Sequence, residues 1–229
     1  DSSIYGALVR LAQPWTMRYP LIDFHGSMGN RDGDGPAAYR YTEARLAKLV
    51  EDGMLCGIKK KNVDFIPNYS ETKEEPVTLP SIFPNLLCNP NTGIGVAIAC
   101  NWLPHNLKEV GQAIYDYMDG KEPMLPGPDF PTGGIIMGRA GIRAAYSTGR
   151  GKIVVRARTE IEEVRTNKYQ IVITEIPYMV NKRELVTSMV ELVDSKRIEG
   201  IDNIVDYTSR EGLKIVVELK KDVNPQVVL

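Results

Sequence analysis

The chain has 229 residues, 43% of them hydrophobic and 25% charged, and a formal net charge of -1. That composition fits one large or two modest globular domains, and near-neutrality excludes a uniformly basic nucleic-acid protein, so any DNA affinity has to come from local patches. The three cysteines, Cys56, Cys88 and Cys100, form no Cys-x-x-Cys pair, which argues against zinc and redox motifs and fits a reducing cytoplasm; the longest apolar run, residues 93 to 100, is too short to span a bilayer, and no signal peptide is visible.

Asp1-Ser2-Ser3 reads as a helix start with capping oxygens, and Ile4, Leu8 and Leu11 share one face of a helix over residues 3 to 13, closed by Pro14. Residues 14 to 35 are loop-rich, broken by Gly26, Gly29, Gly33 and Gly35. Pro36 stands where a helix tolerates proline, predicting a second helix that runs to about Asp52, stops at Gly53 and carries Tyr41. Four prolines between Pro67 and Pro84 mark a linker-like stretch and place a domain boundary near residue 70, dividing the chain into 1–70 and 71–229. Residues 93 to 101 look like a strand, Asn106 caps a helix to about Met118, and a proline-rich loop spans residues 123 to 131. A short strand at Ile135-Ile136 and a short helix over 139 to 147 follow.

Residues 152 to 162 and 169 to 176 alternate like paired strands, Asn181 caps a helix to about Asp194, and residues 204 to 207 and 213 to 219 read as strands. The fold class is α+β: helices first, then a mixed antiparallel sheet with packed helices. The missing initiator Met and an end in mid-pattern at Val227-Val228-Leu229 predict a fragment cut at both ends.

Several chemistries can be tested by spacing. Asn30-Arg31-Asp32-Gly33-Asp34-Gly35 begins like a calcium loop, but the twelfth position, which should be a bidentate Glu, is Tyr41, so the aspartates are read as turn-formers. Neither Gly127-Pro128 nor Gly149-Arg150-Gly151-Lys152 has the spacing of an ATP-binding phosphate loop. The two histidines, His25 and His105, form no triad or metal cluster; His105 reads as structural, and His25, in the glycine-rich loop, has the better claim to a ligand. From Gly138 to Lys168, eight Lys or Arg face three Glu, a local balance of +5 that is either a DNA-facing patch or an ordinary solvated surface.

Tyrosine is the remaining nucleophile class. A phenol is almost wholly protonated at neutral pH and needs a cation, a metal or a base to react. Tyr41 follows Arg40 directly and precedes Arg45 by one turn, and arginine binds phosphate in a fork while stabilising a phosphorane-like transition state. Spacing raises Tyr41 only modestly above the other ten of the chain's eleven tyrosines.

The run Pro36-Ala37-Ala38-Tyr39-Arg40-Tyr41-Thr42-Glu43-Ala44-Arg45-Leu46 resembles the catalytic-tyrosine segment of the A subunits of bacterial type IIA topoisomerases, DNA gyrase and topoisomerase IV. Residues 11–15, 32–34, 84–87, 104–107, 126–132 and 175–178 resemble further motifs in family order, so the likeness covers essentially the whole chain. The resemblance implies a winged-helix part of a breakage-reunion core followed by a truncated tower domain that supports bent DNA. It implies that Tyr41 takes the 5′-phosphate of cleaved double-stranded DNA while Arg40 stabilises the scissile group. Ser2, Arg10, His25 and Arg45 become DNA-contact candidates, with the helix from Ser2 lying against the DNA groove.

Ile94, a core strand residue by pattern alone, aligns with an isoleucine that wedges between base pairs. Mg2+ and ATP are expected on the partner B subunit of an A2B2 heterotetramer built on an A-subunit homodimer, in the nucleoid-associated cytoplasm and away from membranes; this chain itself is expected to hold no metal. Ser2 matches a quinolone-contact serine, but Gly6 replaces the acidic residue usually found four positions later, which weakens drug anchoring. The His-Pro-His-Gly run that precedes this point in the family lies outside the chain, as do its main dimer gate and C-terminal wrapping domain. A third class, a metal-dependent nuclease, lacks clustered carboxylates and histidines, whereas a scaffold that binds and bends DNA without cutting it remains an alternative.

Overall fold

The computed structural model describes residues 1–229. Helices and sheets are both present, as the α+β reading expects. The chain divides into two compact units, one of residues 1–28 and 36–129, the other of residues 29–35 and 130–229. The composition change near residue 70 therefore falls inside the first unit; the proline-rich stretch there folds into a small hairpin of β3 (Phe65–Pro67) and β4 (Glu74–Pro76).

The first unit opens with α1 (Ser2–Ala12), which buries Val9 and Ala12. Asp1 is its N-cap by position, but no side-chain oxygen closes the helix start. Strand β1 (Ile22–His25), unforeseen in the sequence, pairs antiparallel with β2 (Glu43–Leu46). The helix expected over 36 to 52 is absent. In its place stand a three-residue 3-10 turn at Tyr39–Tyr41, strand β2, and one π-helical turn at Val50–Met54. The segment has no apolar stripe before Leu49: Tyr39, Arg40, Tyr41, Ala44 and Leu46 are all exposed. With nothing to bury on a helical face, pairing with β1 decides the conformation.

Farther on come the single turn α2 (Asn85–Cys88), a hairpin of β5 (Asn91–Gly95) and β6 (Ile98–Trp102), and α3 (Leu107–Met118). Asn106 caps α3 as its sequence predicts, accepting from the Lys108 amide at 3.0 Å. The core of the unit gathers Val50, Met54, Phe83, Cys88 and Val110, supported by Tyr19, Leu87 and Leu107. Burying a side chain such as that of Val110 contributes about 1.5 to 3 kcal/mol. Asn89 ties this core to the chain after α1: its amide donates to the Tyr19 carbonyl at 2.9 Å and its carbonyl accepts from the Tyr19 amide at 2.8 Å, so one side chain acts as a strand partner. Burial pushes the Cys88 thiol up to about 11, against the opposing pull of the Arg18 charge.

The second unit is built on a four-stranded antiparallel sheet of β9 (Arg158–Arg165), β10 (Lys168–Glu175), β11 (Ile201–Asp206) and β12 (Ile215–Leu219), in the order β11-β12-β10-β9. Ile171 faces Val217 across the β10–β12 pair and Ile173 faces Ile215, so one apolar face is continuous. Helix α5 (Lys182–Asp194) covers it with Leu185, Val186, Met189 and Val193. A two-stranded ladder of β7 (Ile135–Ile136) and β8 (Val155–Arg156), helix α4 (Ala140–Thr148) and the terminal turn α6 (Pro225–Val228) complete the unit. No helix is long and apolar enough to cross a membrane.

Candidate active site

The 3-10 turn bearing Arg40 and Tyr41 is closed by its own backbone: the Tyr41 amide donates to the Ala38 carbonyl at 2.9 Å, and the Thr42 amide to the Tyr39 carbonyl at 3.2 Å. Tyr41 is 68% exposed, and its hydroxyl has no hydrogen-bond partner within the chain. The Arg40 guanidinium lies 4.7 Å from the centre of the Tyr41 ring, against its electron-rich face. The turn thus presents a free phenol oxygen and a cation together to solvent.

The neighbourhood holds the turn from behind. Gly26, at φ +106°, brings its backbone so close that a Cβ there would stand 2.9 Å from Thr42 Cγ2 and 3.1 Å from the Tyr41 carbonyl oxygen. The hydroxyl of Tyr5 on α1 donates to the Ala37 carbonyl at 2.6 Å and lies 3.0 Å from the Thr42 hydroxyl. The Tyr5 ring meets Tyr39 edge-on at 6.2 Å and Phe24 at 6.3 Å. Neither Tyr5 nor Thr42 is picked out by sequence spacing, because 37 residues separate them and no local pattern links the two.

Next to the turn, β1 and β2 assemble a small polar cluster. Arg45 donates to His25 Nε2 at 3.1 Å, which leaves that nitrogen as the acceptor, and lies 3.6 Å from Asp23. His25 and Arg45, proposed from sequence on separate grounds, are thereby brought together. Ser2, Gly6 and Arg10 follow at intervals of four on α1, and all three are exposed on one face. A Cβ at Gly6 would meet nothing within 4 Å, so the missing acidic side chain leaves open space there.

Ile94 belongs to the β5/β6 hairpin and is 93% exposed, with Val96 at 99%. The core-strand reading of Ile94 is thus wrong: residues 91 to 102 form a solvent-facing hairpin that turns at Val96 and Ala97, whose φ is +62°. The glycines at 93 and 95 leave its isoleucine without flanking side chains. His105, by contrast, is buried at 3%, with Nδ1 2.7 Å from the Leu87 carbonyl, a structural role as expected.

The calcium-like loop also has an explanation, within the second unit. Asn30 Oδ1 accepts from the amides of Asp32 and Asp34 at 2.9 and 3.1 Å, which shapes the turn. Asp32 lies 3.0 Å from the Lys182 ammonium, and Asp34 accepts from Arg183 at 3.0 Å. Hydrogen bonds from Asn30 and Arg183 hold the Asp34 carboxyl below its ordinary value. Of the eight cations between Gly138 and Lys168, Arg158 pairs with Glu175 and Lys168 with Asp202, and the other six make no ion pair. Nowhere do three His, Cys, Asp or Glu side chains converge in metal-ligand fashion.

A family model that describes the A subunits of DNA gyrase and topoisomerase IV matches residues 1–229. The gyrase A subunit of Clostridium acetobutylicum is 53% identical over the whole of this chain and 28% of its own length. That of Streptococcus pneumoniae is 51% identical over the whole chain and 29% of its own length. The topoisomerase 4 A subunit of Staphylococcus epidermidis is 49% identical, again over the whole chain and 29% of its own length. The chain therefore spans little more than a quarter of these relatives. With a match from end to end, at about half identity to both kinds of enzyme, this chain belongs to the family of DNA gyrase and topoisomerase IV A subunits.

Proposed function

We propose that Tyr41 is the nucleophile of a DNA cleavage and religation reaction. Its Oη attacks a backbone phosphorus, an O–P bond forms, and the bond from phosphorus to the 3′ oxygen breaks. The phenol proton leaves to base or solvent, the 3′ oxygen takes up a proton, and the 5′ end remains on Tyr41. Reversal restores the DNA with no external energy, because one phosphodiester replaces another. Arg40 binds the scissile phosphate and stabilises the charge that accumulates in the transition state. The observation that carries this reading is the pairing of an unengaged, exposed phenol with a guanidinium 4.7 Å from its ring.

In the whole protein this chemistry would serve ATP-dependent double-strand passage by an A2B2 assembly acting on double-stranded DNA in the nucleoid. Ser2, Arg10, His25 and Arg45 would contact the DNA beside Tyr41, and Ile94 would wedge into the stack. The six unpaired cations of the second unit would neutralise phosphates along the flanking duplex. Mg2+ and ATP would come from the B subunit, the metal supplying positive charge to the reacting phosphate; in the cluster that β1 and β2 form beside the turn, Arg45 already engages both Asp23 and His25.

The test is Tyr41→Phe in the full-length A2B2 enzyme. Covalent DNA–protein adducts should vanish while DNA binding persists; adducts that persist would overturn the assignment. A second reading, a scaffold that binds and bends DNA without cutting it, draws on the fully exposed apolar hairpin tip. It predicts no adducts from the wild-type assembly with Mg2+, so one cleavage assay separates the two.

A further inference from the structure

The side chains of Arg40 and Tyr41 are open to solvent, so packing around them does not set where they point. Their placement depends on the backbone of the 3-10 turn, and one residue outside the turn engages both its ends. Tyr5 donates its only proton to the Ala37 carbonyl at 2.6 Å, because a carbonyl can only accept. Its oxygen must then accept from the Thr42 hydroxyl, 3.0 Å away. The Thr42 hydroxyl also reaches the Tyr39 carbonyl, at 3.2 Å, which has a second lone pair free beside the one that takes the Thr42 amide; its single proton thus has two acceptors, of which the Tyr5 oxygen is the nearer. With the nearer acceptor taken, the bonds run from Thr42 to Tyr5 to Ala37, and each polarises the next.

We propose that Tyr5 is a positioning residue for the cleavage reaction: its hydroxyl clamps Ala37 and Thr42, the two sides of the turn, and so fixes the aim of Arg40 and Tyr41. The proposal rests on the reading of Tyr41 as nucleophile. Attack on phosphorus requires an in-line approach of the phenol oxygen, and small displacements of a reacting group are costly in rate. The clamp acts where it has the most leverage, since Ala37 and Thr42 bracket the turn while the Tyr5 ring already rests on Tyr39. It also makes α1, the helix that exposes Ser2, Gly6 and Arg10, a rigid back-plate for the nucleophile's turn.

The experiment uses the full-length A2B2 enzyme with Mg2+ and a saturating DNA substrate. Tyr5→Phe keeps the ring and removes only the hydroxyl. The rate of covalent adduct formation at saturating DNA should fall roughly five- to tenfold, the worth of about one hydrogen bond, while DNA affinity stays within about twofold. Thr42→Val, which removes the hydroxyl at the other end of the relay, should produce a similar fall, and Thr42→Ser should restore most of the rate. The double variant should be no slower than about the slower single one, because both break one relay.

An unchanged rate in both Tyr5→Phe and Thr42→Val would overturn the proposal. So would a loss confined to DNA affinity, which would make Tyr5 a binding residue. Tyr41→Phe, run alongside, separates the two ideas. Adducts that survive in Tyr41→Phe defeat the nucleophile assignment itself; adducts lost in Tyr41→Phe but formed at full rate in Tyr5→Phe defeat only the clamp.

Discussion

The ammonium of Lys182, at the first position of α5, is hydrogen-bonded to the carboxylate of Asp206 on β11, with only 5% of the lysine side chain exposed. Asp32 also pairs with the ammonium, at 3.0 Å. The Lys182 amide also donates to the Arg31 carbonyl at 3.0 Å, so this residue anchors the Gly29–Gly35 loop by both backbone and side chain. Removing the cation alone leaves two partly buried carboxylates without the charge they share. Lys182→Met should therefore destabilise the second unit by about 2 kcal/mol, less than for a fully buried pair because both aspartates retain some water. Chemical denaturation reads this as a lowered midpoint at unchanged slope; an unmoved midpoint would show that the pair contributes nothing net.

The same pair sets a pH dependence whose signs can be worked out. For Asp206, burial raises the pKa, but hydrogen bonds from Lys182 and Thr208 outweigh it and leave the group below its ordinary 3.8. Its contribution is present above that value and lost as pH falls through the lower folded-state pKa. For Lys182, burial lowers the pKa, but hydrogen bonds to Asp206 and Asp32 outweigh it and leave the group above its ordinary 10.5. That contribution is complete below 10.5 and lost as pH rises through the higher folded-state value. The stability difference between wild type and Asp206→Asn should thus be flat from about pH 5 to about pH 9 and shrink outside that range. Denaturation midpoints of the two proteins against pH check this, and a difference that changes across neutrality would refute it.

What is legible in the sequence follows the range of the interactions. The caps at Asn106 and Asn181 and the strand β10 are local, and each is where the pattern puts it; β9 starts at Arg158 rather than at residue 152, because Val155 and Arg156 pair with β7 instead of β10. The segment from Pro36 to Asp52 misleads because its proline and charges fit a helix start, while its true partner, β1, lies 18 to 24 residues upstream at register pairs such as His25↔Glu43 and Ile22↔Leu46. Ile94 misleads because a strand of alternating glycine and apolar residues reads the same whether its apolar side faces a core or water. The turn-forming role of Asp32 and Asp34 is readable from the failed calcium spacing, but their partners Lys182 and Arg183 stand about 150 residues away, beyond any spacing rule. Tyr41 and Arg40 stand out because chemistry and family likeness agree on adjacent residues.

Gly26 tests how tightly the turn bearing Tyr41 is seated. Its φ of +106° is costly for any other residue, and an added Cβ would press on Thr42 and on the Tyr41 carbonyl. Gly26→Ala should cost about 1 to 2 kcal/mol of stability. It should also slow adduct formation, by pushing the Tyr41 backbone outward. A variant that loses stability but cleaves at the wild-type rate at saturating DNA would mean the turn tolerates displacement.

Arg40 offers a sharper division between charge and geometry. Arg40→Ala removes the cation and should lower the rate of adduct formation about a hundredfold, the typical loss of one preorganised group at a developing charge. Arg40→Lys keeps the charge but not the planar fork, and should recover only part of that loss. Because Arg40 is exposed, folding should be untouched in both. Full recovery by lysine would reduce its role to simple electrostatics.

Ile94 is the position where structure and stability separate most cleanly. At 93% exposure it contributes almost nothing to folding, so Ile94→Ala should shift stability by less than about 0.5 kcal/mol. Large apolar side chains are costly to leave in water, and a hairpin flanked by glycines can carry one into a base step with no side chains in the way. If that is its use, Ile94→Ala should reduce the bend of bound DNA, read by energy transfer between dyes at the two ends of a short duplex. The rate of cleavage should fall with it, since unstacking lets the duplex wrap against the protein. A normal bend angle in Ile94→Ala would remove the wedge and return the hairpin tip to an unexplained apolar surface.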